Sequence, residues 1–336
     1  MIILGVEGTA HTLAFSLIEK ENNKIRIISD KRIQYKANEK EKGIKPSHMA
    51  EFHFENMVKL FLETLKESGL SIKEIDAIAY SAGPGFGHTL RQVAFFTKIL
   101  AKKYNKKVFP VNHLVAHLEI GRIINKLEAE EPLYFFVSGA NTLIAIKEDW
   151  YKVLGETIDI GVGNFLDKVG RLFDIPFPAG PKIEELAMKG NKLIELPYTI
   201  KGMDLSLAGL VTKIKQIKEK YKKEDIFYSL QEHLFSMLIE ILERALAYTE
   251  KDKVVYGGGV LANKILRKKL EIMAKDFGVK LYEIPIYLSG DNATMIASSI
   301  EQFEPIDWKL VNFDPYWRIE REIPSFLHSK KSKKSA

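Results

Sequence analysis

The sequence contains no cysteine. That absence excludes a disulfide scaffold, a thiolate zinc site, an iron–sulfur cluster and a cysteine nucleophile. Any metal must therefore be held by His, Asp, Glu or Tyr. No run of about 18 apolar residues occurs, so no membrane span is expected. The apolar start, Met1–Gly5, is followed by Glu7 and lacks the length and flanks of a secretory signal. The expected compartment is the cytoplasm. No Gly-x-x-x-x-Gly-Lys-Ser/Thr run is present, which excludes a P-loop. Excess charge is also scarce outside one place. The net charge is +6, and residues 329–336 hold four lysines and no acid. Without them 46 basic residues face 44 acidic ones, a net of +2. Such a basic tail is commonly a solvated end, and it can bind phosphates electrostatically.

What is present is a folded α/β chain. Its 336 residues are 46% hydrophobic and 28% charged, enough for about two domains with sizeable cores. Alternating apolar residues predict strands over Ile2–Val6, His11–Glu19 and Lys24–Tyr35. A helix over Ser47–Lys66, a strand over Ile75–Tyr80, a helix over Thr89–Tyr104, a strand over Lys107–Pro110 and a helix over Asn112–Asn125 follow. Asn112 is that last helix's expected N-cap. The pattern then restarts with strands over Leu133–Val137, Thr142–Lys147 and Lys152–Thr157. Helices near Gly163–Phe173, Lys182–Met188 and Asp225–Thr249 come next. A strand over Val254–Tyr256, a helix over Leu261–Phe277, a strand over Val279–Glu283 and a helix over Gly290–Gln302 complete it. The repeated order is a duplication of architecture rather than of sequence. Acids and a proline mark the boundary near Glu128–Pro132. The expected organisation is a first domain of residues 1–131 plus about 290–328, a second of 132–289, and the tail 329–336.

Glycine-containing turns follow the first strand of each half: Gly5-Val6-Glu7-Gly8-Thr9 and Ser138-Gly139-Ala140-Asn141-Thr142. Small residues there let backbone N–H groups approach a phosphate; alternatively they are plain hairpin turns. A third turn, Gly257-Gly258-Gly259, lies between a strand and a helix. Gly257-x-Gly259-x-x-Ala262 fits a dinucleotide fingerprint with Glu283 downstream, but it comes too late in the chain for a Rossmann domain. Two hairpin turns and a late glycine turn match the two-domain layout of the actin, chaperone and sugar-kinase ATPases.

His113 and His117 are four apart on a predicted helix and share one face, a spacing that can chelate a divalent cation. Position 114 is Leu, so this is not His-Glu-x-x-His, and a zincin would lack its base. An i, i+4 pair can also be ordinary core or surface. Asp291, where a helix starts after a strand end, is the best distant third ligand. His48 and His53, five apart, read as structural or surface residues.

With His113-Leu-Val-Ala-His117, Ser138-Gly139, the segment from Gly155 to Asp167 and Gly259-Val-Leu-Ala-Asn263 in order, the chain resembles the TsaD family. It is most similar to the archaeal and eukaryotic branch, the catalytic subunit of the KEOPS complex. Gly5-Val-Glu-Gly-Thr-Ala-His-Thr12, Ser81-Ala-Gly-Pro-Gly-Phe-Gly87, Gly180-Pro-Lys-Ile-Glu184 and Gly290-Asp-Asn292 extend the resemblance from Met1 to about Arg318. The resemblance implies transfer of a threonylcarbamoyl group from threonylcarbamoyl-AMP to N6 of the adenosine just 3′ of the anticodon, in tRNAs reading codons that begin with A. It implies one iron or zinc ion on His113, His117 and Asp291. It also implies an adenine nucleotide, with magnesium as an optional companion, lined by Phe136, Val137, Ser138, Gly139, Ala140, Asp167, Gly180, Glu184 and Asn263. The implied partners are tRNA, a small Rio-type kinase, a dimerising subunit and a kinase-binding subunit. No residue is assigned as general base.

The chain departs from the family pattern at identifiable positions. Phe136 stands where a metal-ligating Tyr is usual, with Tyr134 two residues earlier on the same strand face. Ala140 replaces the second glycine of Ser-Gly-Gly. Ser47-His48 replaces Arg-Glu, Phe52 the first of a His pair, and Leu207-Ala208 a Phe-Ser. These departures motivate an alternative, a weakened or scaffold subunit of the same complex. A small-molecule kinase of the same superfamily is a third reading, against which the His113/His117 pair argues.

Overall fold

The computed structural model describes residues 1–21, 24–36, 45–127 and 131–331. They divide into two units, Met1–Glu128 with Asp291–Ala336, and Ala129–Gly290. In the first unit, β1 (Ile2–Glu7) pairs antiparallel with β2 (Thr12–Glu21), Glu7 opposite Ala14. β2 pairs in turn with β3 (Lys24–Gln34). The chain crosses through α1 (Pro46–Ser68) to β4 (Ala77–Gly83), parallel to β1. It crosses again through α2 (Gly87–Tyr104) to β5 (Lys107–Asn112) and continues directly into α3 (His113–Ile124). Pro46 opens α1, where its missing N–H costs nothing, and Gly69 closes it in the left-handed conformation. α1 buries Met49, His53, Met57, Leu60 and Phe61, one helical face.

The second unit repeats the scheme. β6 (Leu133–Val137), β7 (Thr142–Lys147) and β8 (Tyr151–Glu156) form antiparallel neighbours. Then come α4 (Val162–Arg171), α5 (Gly180–Ala187), the two-residue strands β9 (Ile200–Lys201) and β10 (Asp204–Leu205), α6 (Ala208–Ile217) and α7 (Lys223–Thr249). β11 (Lys253–Gly257) runs parallel to both β6 and β12 (Lys280–Glu283), with α8 (Lys264–Phe277) between β11 and β12 and α9 (Ile286–Ser289) after them. The strand orders are β3-β2-β1-β4-β5 and β12-β11-β6-β7-β8. Read outward from β3 and from β8, these orders are the same, so the duplication is one of topology. In this unit Leu133, Phe135 and Val137 of β6 enter a core with Phe165, Leu210, Phe227 and Leu238.

The chain then returns to the first unit. α10 (Ala293–Ser298) lies on β1 and β2 beside α3, and α11 (Ser325–Lys331) comes last. Gly5 makes that return feasible: a Cβ there would stand 2.1 Å from the Ala293 carbonyl oxygen. Among the described residues no helix is long and apolar enough to cross a membrane.

Two stretches differ from their expected form. Leu261–Phe277 is a 3-10 turn, Gly259–Ala262, followed by α8, because Asn263 is extended and its side chain accepts from the Ile265 and Leu266 N–H groups. Gly290–Gln302 is likewise broken. Asn292 caps α10, and the Ser298 and Ser299 hydroxyls donate to the Met295 carbonyl at 3.0 and 2.7 Å, competing with the helical ladder. The basic tail of residues 329–336 begins in the last turn of α11, and residues 332–336 lie outside the described residues.

Candidate active site

The first unit builds a cluster at the N-terminus of α3. Asn112 ends β5 extended, and its side-chain oxygen accepts from the Leu114 and Val115 N–H groups at 3.0 and 3.3 Å. Its amide donates to the Trp317 carbonyl at 3.1 Å, anchoring the cap in the return segment. His113 is thus the first helical residue, and His117 lies one turn on, the two rings perpendicular with centroids 4.6 Å apart. Asp291 stands before the Asn292 cap of α10. Its Oδ1 is 3.5 Å from His113 Nε2 and 3.4 Å from His117 Nε2. One ligand atom from each of the three residues falls within 4.8 Å of the others. Two imidazole nitrogens and one carboxylate oxygen suit iron or zinc by donor type, so the residues present fit the ion that the resemblance implies.

A fourth group, absent from the expected ligand set, completes the geometry. Glu7, at the end of β1, is wholly buried, and its Oε2 lies 3.1 Å from His113 Nδ1. Its Oε1 accepts from the Thr9 N–H at 2.8 Å and the Thr9 hydroxyl at 2.6 Å. The Gly5–Thr9 turn thus carries a buried carboxylate turned to His113. The only signal in the sequence was an acid ending an apolar strand, where a buried charge needs a partner.

The electrostatics follow from these neighbours. Burial disfavours the His113 imidazolium, but the Glu7 charge, the Glu7 hydrogen bond and Asp291 together outweigh it and lift the pKa to about 9. Burial takes His117 below the ordinary histidine value; the Asp291 hydrogen bond pulls the other way, and the His113 charge adds to the lowering. Burial would raise Asp291, yet the His117 hydrogen bond and the charges of both histidines hold it below the carboxylate range. His53, also buried, has neither ring nitrogen hydrogen-bonded among the described residues, and burial pushes its pKa down to about 4. Its ring lies against Gly8, where an added Cβ would come within 3.3 Å.

The second unit holds the other expected positions. Phe136 is buried in β6, its Cα paired with those of Leu143 and Gly257. The other ring on its face, Tyr134, packs on Tyr151 with centroids 6.3 Å apart. Val137 is a core side chain. Gly258, at φ 104°, runs so close to it that a Cβ would stand 2.3 Å from the Val137 carbonyl oxygen. Ser138 closes the turn on Asn141, while Gly139 and Ala140 are exposed at its tip. The Ser138 and Gly139 carbonyls accept from the Gly163 and Asn164 N–H groups at 3.0 and 2.9 Å, seating α4 on the turn. Asp167 on α4 accepts from the Ala179 N–H at 2.8 Å, just before Gly180. Burial raises its pKa, and that bond opposes the rise. Glu184 on α5 accepts from the Lys264 N–H at 2.9 Å, next to Asn263. Asn263 is spent as the α8 cap and donates to Gln231 at 2.7 Å. The Ser138 turn is thus bonded to the start of α4, the Asp167 carboxylate to the residue before Gly180, and the Glu184 carboxylate to the residue beside Asn263. Arg267 pairs with Glu283, the acid of the discarded dinucleotide fingerprint.

A family model described as TsaD, tRNA N6-adenosine threonylcarbamoyltransferase, matches residues 26–298. The chain belongs to the TsaD family. Its relatives include the tRNA N6-adenosine threonylcarbamoyltransferase of Nanoarchaeum equitans, 44% identical over 95% of this chain and 99% of that one. The protein of the same name from Thermococcus kodakarensis is 45% identical over 88% of this chain and 90% of that one. A probable bifunctional tRNA threonylcarbamoyladenosine biosynthesis protein of Methanocaldococcus jannaschii is 44% identical, and the match spans 54% of it. Solved structures share the fold. The HypF structure of T. kodakarensis superposes with a TM-score of 0.64 at 14% identity, covering 89% of this chain and 47% of that one. A ROK hexokinase of Thermus thermophilus gives 0.53 at 15% identity, covering 90% and 98%. The fold is that of the actin-like ATPases and sugar kinases, and the family makes the chain a tRNA-modifying transferase.

Proposed function

We propose that the chain transfers the threonylcarbamoyl group of threonylcarbamoyl-AMP to N6 of the adenosine 3′ of the anticodon, in tRNAs reading codons that begin with A. In this reading it is the catalytic subunit of a cytoplasmic KEOPS complex with a Rio-type kinase, a dimerising subunit and a kinase-binding subunit. The observation that carries the proposal is the convergence of His113, His117 and Asp291 within 4.8 Å in a chain of this family. These three would hold one iron or zinc ion, which supplies Lewis-acid polarisation of the acyl phosphate and the carbamoyl oxygen when bound. The exposed Phe54, Val58 and Leu62, four apart on α1, support an assembled state.

The chain's own groups have separable tasks. Burial lowers the His117 pKa, which favours the neutral ring that a metal ligand needs. Asp167 and Glu184 each give one oxygen to a backbone N–H. Their second oxygens take no protein donor among the described residues and are suited to ribose hydroxyls. The exposed tip of the Ser138 turn offers backbone to a phosphate. In the reaction a bond forms between adenosine N6 and the carbamoyl carbon. The bond from that carbon to the phosphate oxygen breaks, AMP leaves, and N6 loses a proton. Adenine N6 is a weak nucleophile, so holding it against the carbamoyl carbon must supply much of the rate.

The test is transfer of labelled threonine from threonylcarbamoyl-AMP to tRNA, with and without the partner subunits. Label on that adenosine is expected with the partners present. Binding of adenylate and tRNA without transfer, even in the full assembly, would support the weakened or scaffold subunit instead.

A further inference from the structure

We propose that Glu7 is a positioning residue of the metal centre: its carboxylate holds the ring proton of His113 on Nδ1, so that Nε2 presents its lone pair to the ion. The inference rests on the reading that His113, His117 and Asp291 hold that ion. It follows from which atoms can donate. The Thr9 N–H has only a proton to give, and it gives it to Glu7 Oε1 at 2.8 Å. The Thr9 hydroxyl spends its single proton on the same oxygen at 2.6 Å. Its Oγ1, 3.3 Å from His113 Nδ1, therefore faces that nitrogen as an acceptor. Glu7 Oε2, 3.1 Å away, is an acceptor too. Nε2 also faces an acceptor, Asp291 Oδ1, but at 3.5 Å it is farther than either acceptor at Nδ1, so Nδ1 carries the proton. In the neutral ring Nε2 is then bare, on the side of Asp291 Oδ1 and His117.

Glu7 is held to this task by its surroundings. It is wholly buried and fixed by the β1 ladder opposite Ala14. It approaches His113 from the nitrogen remote from Asp291, so it orients a ligand rather than being one. A buried carboxylate behind a metal-bound imidazole fixes the tautomer and raises ligand basicity. Nothing in the spacing of the sequence joins residues 7 and 113; the β1–β4–β5 sheet does.

Glu7→Gln is the sharpest probe because it preserves shape and inverts the hydrogen bonding. The two Thr9 donors keep the amide oxygen at the Oε1 position, so the amide NH2 takes the Oε2 position and donates to Nδ1. The His113 proton is driven to Nε2, where the ion would bind. We expect zinc affinity of the full chain to fall by about 10- to 100-fold in Glu7→Gln, the range for such partners. Thr9→Val, which leaves the carboxylate in place, should cost less. Imidazole 15N–1H correlation spectra, assigned with His113→Ala, should show Nδ1 protonated in zinc-loaded wild type and in metal-free protein at pH 10. A Nε2-protonated His113 in the wild type, or unchanged zinc affinity in a folded Glu7→Gln, would overturn the proposal. Should that variant fail to fold, the wild-type spectra decide alone. Zinc retained by His113→Ala/His117→Ala would instead overturn the metal reading, and the metal-free spectrum would still decide whether Glu7 holds the Nδ1 proton.

Discussion

At the scale of single residues, the buried histidines behave differently because their neighbours differ. His113 has two carboxylates within reach, and His53 has none that hydrogen-bonds it. His53 is held neutral, with a pKa near 4 against an ordinary 6.5. Above pH 6.5 neither state binds the proton and His53 adds no pH dependence. As pH falls from 6.5 towards 4, the unfolded chain takes a proton that the folded chain refuses, so stability is lost over that window. At about 1.4 kcal/mol per unit, His53→Leu should gain about 2–3 kcal/mol on the wild type between pH 7.5 and 4.5. Urea unfolding at both pH values measures it, and a gap that does not widen would show that His53 protonates freely in the fold. For the metal ligands, the double change His113→Ala/His117→Ala should abolish bound metal in elemental analysis while leaving the circular dichroism spectrum intact. Undiminished metal content would place the site elsewhere.

At the scale of elements, what was legible in the sequence depended on whether the causes were local. The strands of both hairpins, the Asn112 cap and the His113/His117 face arise from alternation, a neighbouring cap and helical spacing. α6 was not legible: its first residues, Leu207 and Ala208, offer no capping side chain. The cap comes from Asp159, 48 residues earlier, whose carboxylate accepts from the Leu207 and Ala208 N–H groups at 2.9 and 2.8 Å and from the Ser206 hydroxyl at 2.8 Å. These bonds outweigh the effect of burial and lower the Asp159 pKa. Asp159→Ala should destabilise the second unit by about 1–2 kcal/mol, the cost of a lost cap. An unchanged denaturant midpoint would mean that water replaces the cap. Asn263 shows the same limit from the other side. Its place in a family motif suggested a ligand-facing amide, and the fold uses that amide to start α8. Glu7 was hidden for a third reason, since its partner His113 opens the helix that follows β5, a strand two ladders away.

At the scale of the whole molecule, two units of equal topology divide the expected residues between them. The His113, His117 and Asp291 cluster belongs to one, and the Ser138 turn, Asp167, Gly180, Glu184 and Asn263 belong to the other. Most of the +6 comes from the four lysines among residues 329–336, which belong to the first unit; the rest of the chain carries a net +2. Lysines grip phosphates without reading bases, so this segment can add affinity for tRNA but not choice among tRNAs. Replacing Lys330, Lys331, Lys333 and Lys334 by Ala keeps the chain length and is compatible with α11. tRNA affinity should fall, and the slope of log affinity against log salt should flatten by about 0.7 to 0.9 for each phosphate no longer neutralised. Nucleotide and metal binding should be unchanged, because every residue assigned to them precedes position 292. Binding measured at several salt concentrations, with the partner subunits present, separates the outcomes. Parallel salt plots of equal affinity for the two chains would make the segment a solvated end and place the tRNA-binding charge on the folded units or their partners.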